Sequence, residues 1–317
     1  MLTLCDNWRQ PASKSTKLSG WREEAMFKAI DHPYLVPFEG GFSVEQAPTL
    51  PPEGQAGKLV NKEVRKGLVD EISQLQRMLY AHNKYSVLLI YQAMDAAGKD
   101  STISAVLSGV NPAGFQVFSF KKPSDEELEH DFLWRTSMDL PERGRIGVFN
   151  RSYYEEVLVV RVHPGILHGQ NLPNLPELDQ VWAQRYQSIR EHEEHLARNG
   201  YVILKFWLNV SREEQRQRFL SRLEKPEKNW KFNVSDVEER QHWEAYMAAY
   251  QEALNATSRS WAPWYAIPAD DKPFMRRTVA EIIVSNLKSI DMRYPQVDAK
   301  EKARFDEMRR LLESEAK

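Results

Sequence analysis

Apolar positions along the chain follow two rhythms. Over residues 62–83, Val64, Leu68, Ile72, Leu75, Met78 and Leu79 recur at three- and four-residue spacing, which predicts an amphipathic helix. Five short apolar runs follow: YSVLLIY (85–91), FQVFSF (115–120), RIGVFN (145–150), YVILKFWLNV (201–210) and WYAIP (264–268). The stretches between them are mostly amphipathic or charged and long enough for helices. Strands alternating with helices predict an α/β fold, a five-stranded parallel sheet with helices on both faces. Residues 1–61 break both rhythms. Pro, Gly and aromatic residues gather there (HPYLVPFEGG, APTLPPEGQAG) and predict an irregular N-terminal arm ahead of a folded domain over 62–317.

Composition narrows the function classes. The chain has 317 residues, 42% hydrophobic and 28% charged, an ordinary globular balance. A net charge of −2 gives no global pull toward nucleic acid or membranes, so neither is expected as a partner. A polyanionic ligand would need basic residues concentrated locally. No apolar run approaches the ~18 residues of a membrane span, and the N-terminus lacks a signal-peptide pattern. The single cysteine, Cys5, excludes an internal disulfide framework and fits a reducing cytosol, so a cytoplasmic location is expected. The partly apolar arm permits contacts between copies, and a homo-oligomer is expected.

The loop after the first strand run carries the chemistry. YQAMDAAGKDSTISAV (91–106) resembles the triphosphate-binding pattern G-x-x-x-x-G-K-[ST] with Gly98 and Lys99 in place. Ala93 stands at the first Gly, Asp100 replaces the metal-contacting hydroxyl, and Asp95 adds a carboxylate inside the loop. A strand-to-helix turn aims backbone N–H groups of Ala96, Ala97, Gly98 and Asp100 at one point, which suits an anion. Lys99 adds a mobile positive charge. Asp95 repels phosphate directly, but makes sense with Mg²⁺ between carboxylate and phosphate oxygens. The plainer alternative is a Gly-containing turn with surface charges.

Three further segments bear on this site. At the end of the third run, Asn150 occupies the place where such kinases usually carry a metal-binding Asp, and Arg151 follows with a planar donor fork; an ordinary surface turn reads the same way. In FKKPSDEELEHDFLWR (120–135), Lys121 and Lys122 fall at the C-terminal end of a strand, where ligands bind in such sheets. Ser124 and Glu127 read as a helix start there, and Trp134 and Arg135 face the acceptor or are a buried Trp and a surface Arg. In NVSREEQRQRFLSRLEKPEKNWKFNVSDVEE (209–239), Ser211 and Glu214 mark another helix start. Arg212, Arg216, Arg218 and Arg222, followed by Lys225, Lys228 and Lys231, describe either a closing lid over phosphates, at about 211–255, or a solvated helix face. HEEH (192–195) departs from the zinc pattern H-E-x-x-H and reads as solvated surface. WAPWYAIPADDK (261–272) reads as core aromatics plus a loop.

Together these segments resemble the polyphosphate kinase 2 family. The resemblance rests on MLYAHNKYSVLLIYQAMDAAGKDSTI, HDFLWR, LPERGRIGVFNRSYYEEVLVVRVHP, KPEKNWKF and WAPWYAIPADDK, spans about residues 62–290 and leaves the arm uncovered. It implies a phosphate-loop (Walker A-type) kinase fold with a helical lid, moving phosphoryl groups between inorganic polyphosphate and adenine nucleotides with Mg²⁺. It further implies Asp95 as the loop acid and metal ligand, and Lys99 as the loop lysine. Asn150 and Arg151 fall at the strand end, and Arg218 and Arg222 become the lid arginines, with Lys231 beside them. An Asn at the strand end resembles the class III branch, which accepts both AMP and ADP. An ATP-dependent nucleotide kinase and a noncatalytic polyanion-binding protein are the alternatives.

Overall fold

All five apolar runs form strands: β1 (Ser86–Gln92), β2 (Phe115–Ser119), β3 (Ile146–Asn150), β4 (Tyr201–Asn209) and β5 (Trp264–Pro268). The structure, a computed structural model, describes residues 26–55 and 57–315. Cys5 and the first 25 residues of the expected arm lie outside them. Every strand pair is parallel, in the order β2-β3-β1-β4-β5, with Val87 in register with Ile146 on one side and Val202 on the other. Such strands are buried on both faces, which is why they read as continuous apolar runs. β1 and β3 are buried at every residue, while β2 at the sheet edge exposes Gln116, Val117 and Ser119.

Among the described residues seven helices reach eight residues: α1 (Lys58–His82), α2 (Lys99–Val106), α3 (Leu178–Arg198), α4 (Arg212–Glu224), α5 (Trp243–Thr257), α6 (Lys272–Ser289) and α7 (Ala299–Ser314). None is long and apolar enough to cross a membrane. The predicted first helix is α1, begun four residues early and closed by Asn83, whose left-handed backbone (φ 54°) returns its N–H to Leu79 O. It packs along α6. Residues 26–55 run without helix across the open edge of β5. Val36 N–H donates to Trp264 O at 2.9 Å, and Ala266 N–H donates to Tyr34 O at 2.8 Å. Side chains of α5 hold the next stretch, through Asn255 to Phe42 N and Gln251 to Val44 N. An edge that would template pairing with another chain is thereby covered.

HEEH is solvated surface only in part: His195 is exposed, but Glu193 is buried. Glu193 is 1% exposed because it shares the inward face of α3 with Ile189, Leu196 and Ala197. Its carboxylate accepts from Lys205 Nζ at 2.5 Å and from the Tyr153 and Tyr154 hydroxyls at 2.9 Å each. Lys205, fully buried in β4, also donates to Thr257 O at 2.9 Å. Burial pushes its amine down to about 8 against the pull of Glu193. The network locks the segment after β3 to the back of the sheet. Glu193→Gln would leave a buried ammonium without its counter-charge and should cost about 3–5 kcal/mol of stability, read by denaturant unfolding. Replacing both partners with apolar residues should cost much less; equal losses would remove the ion pair from this account.

Candidate active site

The loop over residues 93–98 leaves β1 at its C-terminal end, beside the point where strand order reverses, and enters α2. That is the crevice where ligands bind in open parallel sheets. Two left-handed residues shape it, Ala96 (φ 60°) and Gly98 (φ 111°). A side chain at 98 would sit in a backbone conformation that glycine alone adopts readily, against Met275 Cε and Ser101 Oγ, each 3.4 Å from its first carbon. The turn points the unpaired N–H groups of α2 at the crevice.

Lys99 is buried, and its Nζ folds back to donate to Ala93 O at 2.7 Å and Met94 O at 3.4 Å. Burial lowers its pKa, and Arg151 lowers it further, with Asp95, Glu155 and Asp100 opposing. Asp95 lies across the loop, half exposed, with Oδ1 accepting from Arg151 Nη2 at 2.7 Å. Arg151 leaves β3 with φ 65° and is tied to β1 by its N–H to Tyr91 O at 3.0 Å. Burial works against its charge, but Glu155 and Asp95 hold it on and raise its pKa overall. Two left-handed residues without glycine's freedom, Ala96 and Arg151, therefore face one site, where such strain is commonly kept for function.

Asn150 donates its amide to Asp100 Oδ1 at 2.5 Å and to Ser119 Oγ at 3.4 Å. Asp100, in the place of the usual hydroxyl, thus fixes Asn150 and turns its carbonyl oxygen the other way. Arg218, from α4, is buried and spends all five N–H groups within the protein. Nε donates to Glu214 at 2.7 Å, Nη1 to Ala96 O and Ala97 O, and Nη2 to Ala269 O and Asp270 O. It clips the loop to the turn after β5. Arg222 keeps donors free, with Nη1 engaged by Lys231 O and Asp236 Oδ2. Arg212 and Arg216 turn outward to Glu244 and Glu213.

A cavity of about 790 Å³ opens over these groups. Asp95, Ala96, Gly98, Lys99, Asp100, Lys121, Asn150, Arg151, Arg218, Arg222 and Lys231 all line it. Eight of its lining side chains are cationic and two acidic. Three expected residues stand apart. Ala97 is fully buried and gives its N–H to Met94 O. Lys122 is exposed outside the cavity lining. Arg135 lines a separate cavity of about 100 Å³, donating to Lys121 O at 2.8 Å and lying over the Phe120 ring.

Residues 57–295 match the family model for polyphosphate kinase 2. This chain belongs to the polyphosphate kinase 2 family. It is 55% identical over 251 residues to an ADP-polyphosphate phosphotransferase of Rhodopseudomonas palustris, covering 79% of this chain and 87% of that one. An AMP/ADP-polyphosphate phosphotransferase of Meiothermus ruber is 46% identical over 242 residues, covering 76% and 86%. Among solved structures, polyphosphate kinase 2 from Arthrobacter aurescens TC1 superposes with a TM-score of 0.75 at 34% identity, covering 88% of this chain and 99% of that one. The fold is that of phosphate-loop kinases.

Two residues, one beside Arg151 and one in the cavity lining, were not singled out from the sequence. Glu155 is brought under Arg151 by the turn Tyr153–Val157 and accepts from Gln92 Nε2 at 3.0 Å; burial raises its carboxyl against the pull of Arg151 and Lys99. Lys272 closes the stretch read as core and loop, yet lines the cavity as the first residue of α6.

Proposed function

We propose that this enzyme transfers phosphoryl groups from inorganic polyphosphate to ADP and AMP, reversibly, in the cavity above Lys99. The excess of cationic over acidic side chains lining that cavity carries the reading, because it matches a linear polyanion better than a single nucleotide. Names of the relatives from R. palustris and M. ruber support the same chemistry. An oxygen of the acceptor's terminal phosphate attacks the end phosphorus of the chain, and the bond to the bridging oxygen breaks. The shortened chain leaves as a phosphate anion, and no covalent enzyme intermediate is required. Positioning and charge neutralisation are the protein's tasks in such transfers. Lys99, held by the Ala93 and Met94 carbonyls, and the planar Arg151 supply cations, and the first turn of α2 supplies backbone donors.

A divalent cation, magnesium in this proposal, fits the donor set. Among the described residues no group of three His, Cys, Asp or Glu side chains is placed to hold a metal. Magnesium is characteristically held by one or two carboxylates plus substrate phosphates, and Asp95 offers such a carboxylate beside the loop. When bound, the cation neutralises charge shared between donor and acceptor phosphates. We assign residues 211–255 the role of lid, with Arg222 and Lys231 meeting the chain. Incubating the protein with polyphosphate, magnesium and AMP should yield ADP and then ATP. Absence of nucleotide product would overturn the proposal.

Asn150 bears on the choice of acceptor. Asn150→Asp sets a second carboxylate against Asp100, where like charges at ~4 Å repel by about 1–4 kcal/mol. AMP, one phosphate shorter than ADP, should tolerate the displaced charge less, so the AMP-to-ADP activity ratio should drop. Adding Asp100→Asn restores a hydrogen bond with its direction reversed and should recover the ADP rate while the ratio stays low. A ratio unchanged in the single variant would leave Asn150 a turn residue only.

A further inference from the structure

Basic side chains continue beyond the catalytic cavity. Lys272, on the cavity wall, begins α6, and Arg276 follows one turn later on the same face. Arg65 approaches from α1, which packs along α6. These groups are close enough for their charges to act on one another. Burial, then Arg218, Arg276 and Lys228, push the Lys272 amine down to about 8, with Glu214 opposing. Burial, then Arg65 and Arg218, lower the pKa of Arg276. Lys228 and Lys272 on the cavity wall, Arg276 one turn along α6 and Arg65 on the adjoining α1 thus form a row of like charges.

Folding alone does not account for this row. Among the described residues none of Lys272, Arg276 and Arg65 has an ion pair or a side-chain hydrogen bond, and the buried Nε atoms of Arg276 and Arg65 have no partner. The neighbouring Arg277 shows what a structural arginine does here: it donates to Glu281 at 2.7 Å and to Asn61 Oδ1 at 3.1 Å. Half-buried guanidinium groups without counter-charge are costly unless an anion completes them. We infer that the polyphosphate chain extends from the cavity past Lys272 onto Arg276 and Arg65, a distal subsite that favours long chains. Only a polyanion with repeating charge exploits such a row, since one phosphate group would occupy one end of it. The inference rests on the polyphosphate reading above.

The test uses the full chain carrying Arg65→Gln and Arg276→Gln together. KM for long-chain polyphosphate should rise about tenfold or more, with kcat at saturation unchanged and with inhibition by tripolyphosphate unchanged. Thermal unfolding without polyphosphate should occur at the same or a higher temperature, because two unpaired cations have gone. Equal weakening toward long and short chains, no weakening at all, or a lowered unfolding temperature would each overturn the subsite. Direct binding to the unaltered protein separates this from the functional proposal. If no transfer occurs, the proposed activity fails, and long chains binding no more tightly than tripolyphosphate would refute the subsite independently.

Discussion

Asp95→Asn should slow turnover by ~10²-fold or more, the scale of losing one strong electrostatic catalyst. The substitution is nearly isosteric, and the amide oxygen can still accept from Arg151, whose Nη2 lies 2.7 Å from Asp95 Oδ1. Loop geometry should therefore survive while the anionic oxygen available to a divalent cation is lost. Glu155 is tied to Gln92 and Asp100 accepts from Asn150, so neither replaces Asp95 without rearrangement. The loss should fall on kcat and shift the metal concentration needed for half-maximal rate, with the unfolding temperature close to that of the parent. Near-parental turnover at an unchanged metal requirement would remove Asp95 from the catalytic set.

Arg218→Ala is the second large effect expected. The side chain satisfies four loop and turn carbonyls and the Glu214 carboxylate, so its removal leaves buried acceptors unpaired at ~1–3 kcal/mol each. The loop carrying Asp95 and Lys99 would also lose its tie to the turn after β5. Misplacement of a reacting group by about 1 Å can cost on the order of 10²-fold in rate. We therefore expect kcat to fall by roughly that factor, accompanied by lower stability without any substrate. Arg218→Lys should rescue little, since an ammonium has three donors and no fork. A direct grip on polyphosphate would instead raise KM at constant kcat and be mimicked by added salt. Separate kcat and KM measurements distinguish the clip from the grip.

The contrast between Arg218 and Arg222 shows what the sequence could not reveal. Four arginines in eleven residues look alike along the chain, and helical spacing groups them only by face. Their roles depend on what each face meets: loop carbonyls for Arg218, the nearby Asp236 for Arg222, and outlying glutamates for Arg212 and Arg216. The strands were legible because parallel strands must be apolar on both faces. The loop was legible because its working residues are contiguous. Glu155 and Lys272 reach the site only through a turn after β3 and the docking of α6, which no local spacing displays. Glu193 misled because its acidic type suggested water, although its position in α3 matched the buried Ile189 and Leu196. Its partner Lys205 was the one charged letter in the β4 run. The edge of β5 is covered by a Pro- and Gly-rich stretch whose irregularity was visible and whose destination was not.

Donor choice is the claim on which the account turns: the cavity holds a linear phosphate chain, and Asp100 serves Asn150 where a triphosphate loop has its hydroxyl. The direct measurement follows label from terminally ³²P-labelled polyphosphate into nucleotide, with AMP as acceptor, magnesium present and ATP absent at the start. Label should appear in ADP and then ATP, with polyphosphate shortened in step. Label remaining in the chain, while γ-labelled ATP phosphorylates AMP under the same conditions, would contradict it and identify an ATP-dependent nucleotide kinase.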